Sequence, residues 1–151
     1  MRFKSLFFLI IFIGSACSVS SDEIEIDAIS MSFIQEEILM KSNAEKNVIF
    51  FIAGKSCSVC IEELVEYINH FNPHDYLINV VSNGSEVKEG LTLDFDKNNY
   101  LPFELFTLEK NGFSMINNEV YFFNGDDLIY KNILVETEFD SINAKMEELY
   151  D

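Results

Sequence analysis

Cys57 and Cys60, in Gly54-Lys55-Ser56-Cys57-Ser58-Val59-Cys60, are the residues of this chain best suited to chemistry. Two thiols at that spacing serve one of three ends: an exchange-active dithiol, half of a metal site, or a small structural disulfide. Ahead of them, Val48-Ile49-Phe50-Phe51-Ile52-Ala53 is an unbroken apolar run that stops at Gly54. Behind them, Cys60, Leu64, Tyr67, Ile68 and Phe71 recur at helical spacing, with Glu62, Glu63, Glu66, Asn69 and His70 on the other face. A strand, a short loop and then a helix would set Cys57 at a helix N-terminus, where unpaired N–H groups and the macrodipole favour an anion. The thiolate is the reactive form, so a cysteine placed there is expected to ionise more readily. Cys60, one turn on, falls at the edge of the apolar stripe. An exposed nucleophile and a sheltered resolving thiol are what disulfide exchange requires.

The neighbouring charges have a functional and an ordinary reading. Lys55 can assist electrostatically and Glu63 can orient a group or take a proton; alternatively they are a loop charge and a solvated helix face. His70-x3-His74 after the cysteine pair superficially resembles a zinc finger. If Cys60 and His70 share one helix, however, their backbones are about 15 Å apart, too far for zinc bonds near 2.0–2.3 Å. No zinc site is therefore expected, although a two-thiol copper site stays open. No serine–histidine–carboxylate set, phosphate-binding glycine loop or catalytic carboxylate pair stands out, and no cofactor is expected. The 15 Phe and 6 Tyr read as core, with Phe106 or Tyr100 near the cysteine rim.

The elements that must position the cysteines follow from pattern. Ser32 to Ser42 carries Phe33, Ile34, Ile38 and Leu39 at helical spacing. The run 48–53 suits a strand covered on both faces, as in a mostly parallel sheet. The helix after the cysteines ends at Asn72-Pro73, and Tyr76 to Val81 is a second buried strand. Strand, helix, strand forms a βαβ unit. Residues 85–100 are polar, with a short helix expected around Ser85 to Glu89, and Phe103 to Leu108 reads as a short extended piece. Asn124-Gly125 between Glu119–Phe123 and Leu128–Tyr130 signals a hairpin. A last helix begins near Glu136, with Phe139, Ile142, Met146 and Leu149 on one side.

The N-terminus reads as an export signal over residues 1–16: Arg2 and Lys4, apolar Leu6 to Ile13, then small Gly14-Ser15-Ala16. The apolar run is too short to span a bilayer, which takes roughly 20 residues. With Cys17 next and polar Ser18, Ser20 and Ser21 behind it, the segment looks like a bacterial lipoprotein signal, which implies lipidation of Cys17. Residues 17–26 then form an acidic tether and 27–151 the domain. Setting Cys17 aside leaves an even pair of cysteines, in a compartment where disulfides persist. Acidic residues number 26 against 10 basic, a net of −16, or −18 once Arg2 and Lys4 leave with the signal. This excludes nucleic acid as an expected partner and leaves the acyl chain as the route to a membrane.

From about Asp22 to Tyr150 the chain resembles the thioredoxin-like fold, and specifically its membrane-anchored, extracytoplasmic members. The resemblance rests on the strand 48–53, on Cys57-x-x-Cys60 opening a helix, on Glu63 three residues later and on the hairpin at Asn124-Gly125. It implies a mixed sheet of 4–5 strands flanked by helices, with Cys57 as nucleophile and Cys60 as resolving thiol. Protein thiols and disulfides, or a redox partner protein, would be its partners in the cell envelope. Three positions depart from the family. Ser56 stands where an aromatic usually precedes the first cysteine, and Phe51 where thioredoxins carry a buried aspartate. Asn117 stands where a cis-proline packs on the cysteines, so Asn117 and Asn118 occupy the substrate-binding loop and a trans bond is expected. These departures keep a second reading in view: a non-catalytic binding or accessory lipoprotein with a structural disulfide.

Overall fold

The structure is a computed structural model that describes residues 26–83, 93–94, 96–134 and 139–150. The expected signal, Cys17, the short helix at 85–89 and all of the tether but Ile26 lie outside the described residues. The elements are α1 (Ala28–Glu37), a 3-10 turn (Leu39–Lys41), β1 (Lys46–Ile52), α2 (Ser58–His70), β2 (Leu77–Ser82) and β3 (Asn98–Pro102). They continue with α3 (Leu105–Lys110), β4 (Asn118–Asn124), β5 (Asp127–Leu134) and α4 (Asp140–Tyr150). Five strands make one sheet in the order β3-β2-β1-β4-β5. β1 is parallel to β2 and β2 to β3, while β4 is antiparallel to both β1 and β5. This is a mixed α/β sheet flanked by helices, in a thioredoxin-like layout.

β1 sits at the centre because its side chains demand cover on both faces. Val48, Phe50 and Ile52 pack with Ile61, Leu64, Val65 and Ile68 of α2 and with Ile142 and Met146 of α4. Ile49 and Phe51 pack the other way, with Phe33, Ile34 and Ile38 of the N-terminal segment and with Leu108 and Phe113. Polar residues then fix the register. Asn79 donates to Asn47 Oδ1 at 3.0 Å and Asn99 donates to Asn79 Oδ1 at 2.9 Å, an amide ladder across β1, β2 and β3. A one-residue slip would turn these amides to the wrong face and leave buried polar groups unpaired.

Several boundaries differ from the sequence expectation, each for a physical reason. The buried stripe of α2 is Ile61, Leu64, Val65 and Ile68, one residue round from the expected one, and Tyr67 and Phe71 flank it. β3 begins in the polar stretch 85–100, where no strand was expected, since its polar Asn98 and Asn99 satisfy partners only a folded chain provides. Phe103 to Leu108 is not extended: Pro102 ends β3 and a helix starts at Leu105 behind an extended Glu104. In the hairpin Asn124 pairs with Asp127, so the two-residue loop is Gly125-Asp126, with only Gly125 at positive φ, 59°. Glycine at the first loop position supplies that conformation without strain.

α1 starts earlier than its apolar spacing suggests because Asp27 caps it. Asp27 Oδ1 accepts the N–H groups of Ile29 and Ser30, both at 2.9 Å. Hydrogen bonding from the Ser30 hydroxyl, then from the Ser30 N–H, holds the Asp27 carboxyl below its ordinary value. Asp27→Ala is expected to cost about 1 kcal/mol at neutral pH. A depressed folded-state value means this stabilisation is present above about pH 4 and is lost as the pH falls through the folded value. Urea unfolding of both proteins at neutral and acid pH checks this; a gap that persists in acid would contradict it.

Candidate functional site

The site forms where β1 gives way to α2. Ala53 is buried, Gly54 and Ser56 are half-buried, and Lys55 is exposed. Cys57 follows as the N-cap of α2 in extended conformation, with φ −67° and ψ 144°. Its sulfur accepts the Cys60 N–H at 3.1 Å. A disulfide joins Cys57 to Cys60, their Cα atoms 5.2 Å apart. Cys57 is exposed and Cys60 half-buried. The first turn of α2 holds no acidic residue, so nothing there opposes the positive end of the helix dipole.

The turn between strand and helix is pressed between two other segments. A Cβ at Gly54 would meet Asn83 Nδ2 at 2.3 Å and Leu105 Cδ1 at 2.9 Å, so any larger residue there would have to push those two side-chain ends aside. On the other side lies the segment before β4. Met115 O accepts the Lys55 N–H at 2.8 Å, and Asn118 Oδ1 accepts the Ala53 N–H at 2.9 Å. Tyr100, midway along β3, and Ser82, at the end of β2, share a hydroxyl hydrogen bond of 2.8 Å.

Of the expected site residues, Cys57 and Cys60 are joined. Lys55 is held through its backbone, and the ion pairs found among the described residues include neither its ammonium group nor Glu63. Glu63 is exposed on α2. Asn117 is exposed while Asn118 is buried, so these neighbours face opposite ways. The N–H groups of Ile116 and Asn117 point at Ser114 Oγ, at 3.2 and 3.0 Å. Among the described residues no peptide bond is cis. Phe106 is exposed and Tyr100 half-buried.

α2 runs unbroken from Ser58 to His70, so the histidines lie far from the cysteines. His70 Nδ1 bonds Glu66 O at 2.8 Å, and His74 packs on Tyr150 with ring centres 4.5 Å apart. Both line a cleft of about 760 Å³ at the other end of α2. Among the described residues no three His, Cys, Asp or Glu side chains gather as a metal would need.

One buried carboxylate escaped sequence reasoning. Glu119, 7% exposed, is the cross-strand neighbour of Phe51 and accepts the Tyr121 hydroxyl. Burial first, and the Glu119 charge second, push the Tyr121 phenol well above its ordinary range. No sequence signal marks Glu119, because its partner arrives only with the β4 pleat.

No protein-family model matches the sequence, and a comparison with curated proteins finds no relative. Among the described residues no helix is long and apolar enough to cross a membrane.

Proposed function

We propose that this chain is a thiol–disulfide oxidoreductase of the thioredoxin-like kind, held at the outer side of a bacterial membrane by lipid on Cys17. The observation that carries the reading is the Cys57–Cys60 disulfide at the N-terminus of α2, with Cys57 an exposed residue and Cys60 a half-buried one. In the reductive direction the Cys57 thiolate attacks a substrate disulfide, forming a mixed disulfide and expelling one substrate thiolate, which takes a proton. Cys60, deprotonated, then attacks Cys57 Sγ, closing the internal disulfide and releasing the second substrate thiolate. Two electrons pass from the protein dithiol to the substrate; the reverse sequence oxidises a dithiol. Lys55 lies close in sequence to the thiolate as a positive charge. Glu63, exposed on α2, is the acidic residue for orienting a group or taking a proton, and the exposed Asn117 offers a polar contact to the substrate chain. Partners are protein thiols and disulfides or a redox partner protein. The acidic balance speaks against nucleic acid.

One observation favours the alternative, a non-catalytic accessory module with a structural disulfide. The N–H groups of Ile116 and Asn117 are engaged by Ser114 and so are withdrawn from pairing with a substrate backbone. Trapping separates the two. With Cys60→Ser, a disulfide-bearing protein substrate is expected to remain covalently attached through Cys57, visible on a non-reducing gel, whereas Cys57→Ser retains nothing. Equal failure of both variants to trap would favour the accessory module. The anchor is checked by growth with labelled fatty acid: label on the wild-type chain and none on Cys17→Ser is expected, and an unlabelled wild type would remove the anchor.

A further inference from the structure

Ala53 to Ser56 carry the nucleophile, yet have little hydrogen bonding of their own. Ser56 N–H closes on Ala53 O at 3.1 Å, and residues 114–118 add support from across the chain, Met115 O taking the Lys55 N–H at 2.8 Å. The β1–β4 ladder ends with Phe51 opposite Glu119, so Ala53 lies beyond its last rung. There the Asn118 side chain replaces the missing main-chain acceptor, taking the Ala53 N–H at 2.9 Å. Its Nδ2 lies 3.5 Å from Ser56 Oγ, the residue next to Cys57. Asn118 is only 4% exposed, so it faces the turn and not a docked substrate. Its amide suits both ends of the span, with an acceptor toward Ala53 and a donor toward Ser56.

We propose that Asn118 is the positioning residue of the Cys57–Cys60 couple: it fixes the Ala53–Ser56 turn and so seats Cys57 Sγ over the N-terminus of α2. The inference rests on the exchange reading for its redox consequence. In the disulfide the Cys57 sulfur accepts the Cys60 N–H at 3.1 Å, and in the reduced protein a Cys57 thiolate is stabilised by that N–H only while its sulfur stays within the same reach. A turn released from Asn118 lets the sulfur leave that position. The same N–H bonds a charged thiolate more strongly than it bonds the disulfide sulfur, so the reduced state loses more, and the couple shifts toward disulfide.

The test uses the full chain with Cys17→Ser, so that Cys57 and Cys60 are the only thiols, and compares it with added Asn118→Ala or Ser56→Ala. Two quantities are read: the thiolate titration of reduced Cys57 by ultraviolet absorbance, and the equilibrium constant against glutathione. Asn118→Ala is expected to raise the Cys57 pKa by about one unit and to move the equilibrium about tenfold toward disulfide. Ser56→Ala removes only the longer contact and is expected to move both in the same direction by less. If Asn118→Ala does not fold, Ser56→Ala decides alone. Parent-like titration and equilibrium in a folded Asn118→Ala, whatever its melting temperature, would overturn the proposal by showing a purely structural role. A parent protein inert toward glutathione whose Cys57 titration nevertheless moves with Asn118→Ala would overturn the exchange reading and leave the positioning role standing.

Discussion

The rest of the structure depends on the burial of β1. From Asn47 to Ile52 every residue is buried, and large apolar side chains point alternately into both faces. A strand of this kind is stable only at the centre of a sheet with helices above and below it. α2 meets the demand on one side with four buried residues, and α1 with the segment around α3 meets it on the other. Since α2 follows β1 after only a short turn, its N-terminus is brought to the end of the central strand. The cysteines therefore stand at a helix N-terminus, their positions set by the core.

The turn itself is held by quite different forces. It contributes little to the core, and its backbone groups are satisfied across the chain by Met115 and Asn118. Gly54 lets Asn83 and Leu105 close from the opposite side. Cys57 itself is left exposed outside this packing, while the turn leading to it is fixed. Such a division suits exchange chemistry, in which a partner sulfur must approach in line while the attacking group stays stationary.

How much was legible in the sequence depended on how local each signal was. β1 and the start of α2 were readable because apolar continuity and helical spacing reside in consecutive residues. The hairpin was readable from Asn124-Gly125, but its loop lies one residue later, because Gly125 alone takes positive φ. β3 was hidden: Asn98 and Asn99 look like loop residues until Asn79 and the backbone of Asp94 are folded beside them. α3, six residues long, is too short for periodicity to declare itself. At the site the cysteine pair was legible and the inward turn of Asn118 was not, since its bond to Ala53 spans 65 residues. Glu119 was hidden for a different reason: its hydroxyl partner Tyr121 is only two residues away, but the two side chains meet only once the strand forms and both are buried.

The most direct test of the central claim is the reduction potential of the Cys57–Cys60 couple, measured by equilibrating the purified chain with glutathione buffers of graded ratio. A couple seated at an unopposed helix N-terminus is expected to lie between roughly −120 and −270 mV, the range of exchange-active dithiols. A value below about −300 mV would contradict the account, because a disulfide that stable serves structure alone.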